Sequence, residues 1–206
     1  MTATIVLVRH GETTWNRDGR VQGWADSTLT DAGREQARAV GTRLAEEYDL
    51  DRLVVSDLKR TRETADVIDA AGVEPDPSLD RAWRERSFGS LQGLTRTDIA
   101  SRHAEYHPGR SLHTVQTVEG GESLPAFETR VLDGWSDLLA SVSADETAVV
   151  VTHGGPIRVV LADVTDRDLA TVASSFAPSN CGLTEVEVAN RGCTVIARDD
   201  TDHHSL

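Results

Sequence analysis

The residues Ile5-Val6-Leu7-Val8 form an unbroken apolar run that ends abruptly in Arg9-His10-Gly11-Glu12. A run with no polar alternation reads as a strand buried on both faces, which is the situation of a strand inside a parallel sheet. Such a strand needs helices above and below it, so the chain is constrained to an α/β architecture. In open sheets of this kind ligands bind beyond the carboxyl ends of the strands. Arg9 and His10 stand at that edge, and Gly11 lets the chain turn there.

The rest of the chain repeats the pattern. Residues 13–29 read as a polar loop, after which Thr30 offers a helix cap and Ala37, Val40, Leu44 and Tyr48 recur at helical spacing. A second short strand, residues 52–55, runs into Ser56-Asp57-Leu58-Lys59-Arg60, and the helix marked by Leu58, Thr61, Ala65 and Ile68 stops at Gly72. Pro75 and Pro77 confine any strand in residues 73–82 to a short or edge position. Residues 83–89 read as a loop, residues 94 to about 107 as a helix followed by polar loop, and Leu124, Phe127, Val131, Leu138 and Val142 as one face of a long helix. A third buried strand, residues 147–152, runs into His153-Gly154-Gly155-Pro156, where Pro156 suits a first helical turn. Residues 183–188 and 194–197 flank Asn190-Arg191-Gly192 as a hairpin. The expected fold is a three-layer α/β sandwich with a mostly parallel central sheet flanked by helices. It forms one domain over residues 1–198, and residues 199–206, with His203-His204, form a polar, disordered tail.

The 206 residues carry 21 basic and 34 acidic side chains, a net charge of −13, which argues against nucleic acid or an anionic membrane as partner. Lys59 is the sole lysine beside 20 arginines and 20 aspartates. This bias fits adaptation to high salt, where charge repulsion is screened, and a GC-rich genome would produce the same bias. No uncharged apolar run is long enough to span a bilayer and no signal pattern opens the chain, so a cytoplasmic location is expected. Cys181 and Cys193 lack metal or redox spacing and read as reduced thiols that would not face each other across the hairpin. Oligomeric state is left open.

Two strands end in His-Gly, and a third leads at once to an arginine. If all three are parallel, Arg9, His10, Arg60 and His153 meet at one edge, a cationic pocket on an acidic protein. Guanidinium forks match phosphate oxygens, and the glycines open helix N-termini to the same anion. These residues also carry a resemblance. Residues 7–16, the stretch Ser56–Ala65, Glu85 with Phe88-Gly89, and His153-Gly154 are similar to the histidine phosphatase superfamily, which also contains the cofactor-dependent phosphoglycerate mutases.

That resemblance implies that His10 is the nucleophile, that Arg9, Arg60 and His153 hold the phosphate oxygens, and that Glu85 gives a proton to the leaving oxygen. It places Asn16, Gln22, Gly23 and Gly154 around the phosphate. It implies a metal-independent phosphomonoesterase, with no cofactor beyond the transient phosphohistidine on His10, acting on a small phosphorylated metabolite. The alternatives are a phosphoglycerate mutase and an inactive phospholigand-binding protein. Mutases of the family carry an Arg-rich, Pro-rich insertion after the Glu85 region. Residues 94–121, with Arg96, Arg102 and Arg110, lack it, and no functional residue of the family pattern is missing. Asp57, Thr61 and Gln92 depart from that pattern; Asp57 raises the question of whether a carboxylate weakens Arg60.

Overall fold

The apolar run of residues 5–8 lies inside a strand, β1 (Ala3–Arg9), at the middle of the molecule. The computed structural model describes residues 2–103, 106, 111–190 and 192–205. After β1 come a one-turn helix α1 (Thr14–Arg17), α2 (Asp31–Glu47), β2 (Arg52–Val55), α3 (Lys59–Asp69), β3 (Pro77–Leu79) and α4 (Arg96–Arg102). The second half holds α5 (Leu124–Ser141), β4 (Thr147–Thr152), α6 (Gly154–Val164), α7 (Leu169–Ser175), β5 (Leu183–Ala189) and β6 (Gly192–Asp200). The strands form one sheet in the order β3-β2-β4-β1-β5-β6. Pairings among β3, β2, β4 and β1 are parallel, and β5 and β6 run antiparallel.

The strand period of two divides the apolar run between the two faces. Ile5 and Leu7, with Ala148 and Val150, pack against Phe127, Val131, Trp135 and Ile157 of α5 and α6. Val6 and Val8, with Val149 and Val151, pack against Ala37, Val40 and Leu44 of α2 and Ala65 and Ile68 of α3. Neither face reaches water, which is why the sequence shows no alternation. Burying each of the valine, leucine, isoleucine and phenylalanine side chains among these contributes roughly 1.5–3 kcal/mol. The three-layer sandwich expected from the sequence is the architecture observed. Among the described residues no helix is long and apolar enough to cross a membrane.

Local signals account for most boundaries. Thr30 caps α2 by accepting from the Gly33 N–H at 2.9 Å, and Ser123 caps α5 through Ala126 at 3.3 Å. The start of α2 lies so close to the turn after β1 that a Cβ on Gly11 would sit 2.5 Å from the Gly33 carbonyl oxygen. The loop of residues 13–29 differs from expectation, because Thr13 and Asn16 form a reciprocal capping box that winds α1. Trp135, passed over in the apolar stripe of α5, is buried in the core. The helix expected from residue 94 to about 107 is shorter, ending at Arg102 with His103 as its cap, and the hairpin turn at Arg191 lies outside the described residues.

The C-terminus requires a correction. Asp199 and Asp200 are the last residues of β6, and residues 202–205 form a 3-10 turn beside α2. His203 is buried, with Nε2 3.0 Å from the Cys181 carbonyl oxygen, and Arg43 of α2 meets the Asp200 carboxylate at 2.8 Å. Residues 199–205 are thus not a free tail. They are polar in sequence because specific polar partners, and not apolar burial, hold them in place. Replacing His203 with Ala leaves the Cys181 carbonyl unpaired at a cost of about 1–3 kcal/mol. A fall of about 2–12 °C in Tm by calorimetry is expected; a disordered tail would give none.

Candidate active site

Three parallel strands deliver the site. β1 ends at Arg9, and the His10 N–H donates to the Thr152 carbonyl of β4 at 2.9 Å, which sets His10 beside His153. Their ring centroids lie 5.2 Å apart. β2 is followed by Ser56, whose hydroxyl lies 2.8 Å from His153 Nε2, and then by Arg60 in the first turn of α3.

His10 Nδ1 lies 2.8 Å from the Gly11 carbonyl oxygen. A carbonyl only accepts, so the proton sits on Nδ1 and the Nε2 lone pair is left for chemistry. Burial, Arg60 and Arg9 hold the His10 imidazole well below its ordinary range, so it is neutral at neutral pH. Burial, Arg60 and His10 do the same to His153.

Arg9 is fixed by a bond from Nη1 to the Pro178 carbonyl at 2.6 Å, and Arg60 by bonds to the Gly23 carbonyl at 2.9 Å and the Ala25 carbonyl at 3.4 Å. Burial pushes both guanidinium groups down to about 10, which leaves them cationic at neutral pH. Arg9 Nε, Arg60 Nε and His153 Nδ1 are buried and have no hydrogen-bond partner among the described residues. Each such group costs about 1–3 kcal/mol unless something else satisfies it. An anion with several acceptor oxygens in the cavity would satisfy the two guanidinium groups together.

Glu85 stands opposite, in the loop held by Thr152 Oγ1, which donates to the Trp83 carbonyl at 2.8 Å. Its carboxylate accepts from the backbone N–H groups of Arg86 at 2.8 Å and Gly155 at 3.1 Å. A Cβ on Gly155 would collide with Glu85 Oε1, so this approach requires glycine. Burial pushes the carboxyl up, but His113, these two N–H groups and Arg60 together pull it below the ordinary carboxylate range. Glu85 is therefore an anion when only protein groups surround it.

A cavity of about 700 Å³ opens in front of these groups, and Arg9, His10, Arg60 and Glu85 line it. Asn16, Gln22, Gly23 and Gly154 line it as well. Gln22 Oε1 accepts from the Thr13 hydroxyl at 3.0 Å and the Ser27 hydroxyl at 2.5 Å, leaving its amide N–H groups for an anion. Asn16 Oδ1 accepts from the Thr13 backbone N–H at 3.2 Å. His153 does not line the cavity; it is fully buried, with its ring beside that of His10. The carboxylate of Asp57 does not face Arg60: both of its oxygens bind Arg84, one of them at 2.7 Å. Thr61 donates to the Leu58 carbonyl at 2.6 Å, and Gln92 Oε1 accepts from the Trp24 N–H at 2.8 Å. The three departures from the family pattern thus stabilise the local structure.

Several groups at the site escaped the sequence reading. Arg158, one turn beyond Gly154 on α6, lines the cavity and donates from Nε to the Phe176 carbonyl at 2.8 Å. Its i+4 spacing from Gly154 was the signal that could have found it. Asn180 donates to the His10 carbonyl at 2.8 Å, and His113 lines the cavity; neither lies in a recognisable motif. Arg96 lines the cavity, Arg102 pairs with Asp98 at 3.7 Å, and Arg110 lies outside the described residues. Among the described residues no group of three or more His, Cys, Asp or Glu is placed to hold a metal ion.

Residues 5–201 match the family described as the histidine phosphatase superfamily, branch 1. A metal-independent phosphoserine phosphatase of Arabidopsis thaliana is 37% identical over 168 residues, covering 81% of this chain and 70% of that protein. Phosphoglycerate mutase-like protein 4 of Arabidopsis thaliana is 40% identical over 158 residues, covering 76% of this chain and 68% of that protein. The solved structure of YhfR from Bacillus stearothermophilus superposes with a TM-score of 0.88 at 29% identity, covering 98% of this chain and 99% of that one. The chain belongs to the histidine phosphatase superfamily, with the fold and the phosphomonoesterase character of that family.

Proposed function

We propose that this enzyme hydrolyses phosphate monoesters of small metabolites in two displacements, with His10 Nε2 as the nucleophile. The observation that carries this is the free Nε2 lone pair set among buried guanidinium N–H groups of Arg9 and Arg60 that no described protein group satisfies, with His153 beside His10. A phosphoryl dianion takes up those donors, aided by Asn16, Gln22 and the backbone at Gly23 and Gly154. In the first step Nε2 bonds to phosphorus, the ester P–O bond breaks, and Glu85 gives its proton to the leaving oxygen. In the second, water attacks phosphorus and loses a proton to the Glu85 carboxylate. The P–N electron pair returns to Nε2, and inorganic phosphate leaves. Phosphoryl transfer needs charge stabilisation more than further covalent chemistry, and fixed arginines supply it without reorganising.

Glu85 is an anion beside protein groups alone, so it must take up a proton when substrate binds. A dianion in the cavity raises its pKa in that direction. The metal-independent phosphoserine phosphatase among the relatives supports both a small phosphorylated ester and a metal-free reaction. The mutase reading is not favoured, because residues 94–121 lack the Arg-rich, Pro-rich segment that would exclude water. We also read the enzyme as cytoplasmic and, from its arginine-rich, aspartate-rich, lysine-poor composition, as adapted to high salt.

Glu85→Gln should lower kcat/KM, which reports the first displacement, about 10²–10⁴-fold for an alkyl phosphate such as phosphoserine and far less for p-nitrophenyl phosphate, whose leaving group needs no proton. Equal losses on both would remove Glu85 from the role of acid. Turnover in excess EDTA should match turnover in its absence; loss restored by a divalent ion would contradict the metal-free mechanism.

A further inference from the structure

His113 has no part in the two displacements, although its imidazole lies beside the acid. It sits in a 3-10 turn, Leu112–Thr114, facing the cavity, with its ring edge-on to Phe88 at 5.4 Å between centroids. Nδ1 lies 3.9 Å from Glu85 Oε1, is buried, and has no hydrogen-bond partner among the described residues. The spacing between the two groups is fixed by Arg86. Its backbone N–H binds Glu85 Oε1 at 2.8 Å, and its guanidinium binds the carbonyls of Leu112, Gln116 and Glu122 at 3.2, 3.3 and 2.9 Å. Glu85 and the turn that carries His113 therefore hang from one side chain.

This arrangement is one proton short. If Nδ1 carries the lone pair, it faces a carboxylate oxygen, lone pair against lone pair. If Nδ1 carries hydrogen, the contact is too long for a bond. One added proton settles it, because imidazolium beside carboxylate is an ion pair at this separation. The charged groups around His113 are Glu85, Arg158, Arg86 and Arg9. Burial, with the three arginines, pushes its pKa down to about 4 against the pull of Glu85, so the added proton is absent at neutral pH. A bound dianion opposes those arginines and draws the proton in.

We propose that His113 and Glu85 form a proton-sharing pair, in which His113 Nδ1 holds and positions the proton that Glu85 delivers to the leaving oxygen. The proposal rests on the phosphatase reading and on Glu85 as the acid. Binding of the ester dianion recruits one proton from solvent to the pair. That proton passes through Glu85 to the ester oxygen as its P–O bond breaks. The attacking water returns a proton to Glu85 in the second step, and the pair releases it to solvent when phosphate leaves. His113 acts through Glu85 and is a positioning residue.

Sulfate is a suitable probe, being a tetrahedral dianion that takes no proton near neutral pH. Calorimetric titration with sulfate in two buffers of different protonation enthalpy counts the protons taken up on binding. Uptake by His113→Gln should be smaller than that of the wild type by about half a proton or more. Its kcat/KM should fall about tenfold or more on phosphoserine, with the alkaline limb displaced to lower pH, while that on p-nitrophenyl phosphate changes about twofold at most. His113→Asn with an unchanged Tm serves as a second variant. Unaltered proton uptake, or equal losses on both esters, overturns the pairing. Wild-type rates in His10→Ala would instead sink the phosphatase reading, and the sulfate titration would still report on His113. Failure of the wild type to bind sulfate would count against both.

Discussion

The site depends on the in-register parallel pairing of β1 with β4. Ile5 faces Ala148, Leu7 faces Val150, and Arg9 faces Thr152, so the strands end level and each continues into a histidine and a glycine. β2 pairs with β4 from Arg52 opposite Ala148 to Val55 opposite Val151, and the Ser56 N–H continues the ladder to the Val151 carbonyl at 3.0 Å. That register brings Ser56 to His153 and starts α3 where Arg60 can reach the cavity. A slip of one residue would exchange the faces of every apolar side chain in the strand, so the core that fixes the fold also fixes the site.

The energetics of the site run against those of the rest of the molecule. A protein of net charge −13 gathers Arg9, Arg60, Arg96 and Arg158 around one cavity whose lining includes one carboxylate, Glu85. Buried cations and unsatisfied donors are unfavourable in themselves, and the structure tolerates them because backbone carbonyls hold the guanidinium groups: Pro178 for Arg9, Gly23 and Ala25 for Arg60, Phe176 for Arg158. Asp57, which could have neutralised Arg60, is taken up by Arg84. The result is a fixed positive field suited to a dianion, built before substrate arrives.

Much of the fold was legible because it is written in local periodicity. The unalternating run before Arg9, the helical stripe from Ala37 to Leu44 and Pro156 in the first turn of α6 each carry their own signal. So did the strand-end positions of Arg9, His10, Arg60 and His153. Groups placed by tertiary contact had no such signal. His113 reaches Glu85 from a 3-10 turn held by Arg86, and Asn180 supports His10 from a loop far along the chain. His203 reads as part of a polar terminus, and only the fold supplies the Cys181 carbonyl that fixes it. Asp57 could not be judged from sequence because the spacing places it near Arg60, and only side-chain geometry turns it towards Arg84.

The central claim is that the phosphoryl group passes to His10 Nε2 before it reaches water. The most direct test is the stereochemical course at phosphorus, followed with an isotopically chiral phosphorothioate ester hydrolysed in labelled water. Two successive in-line displacements return phosphorus to its original configuration, so the account predicts retention. Inversion would mean that water attacks the ester directly and that His10 is not the nucleophile.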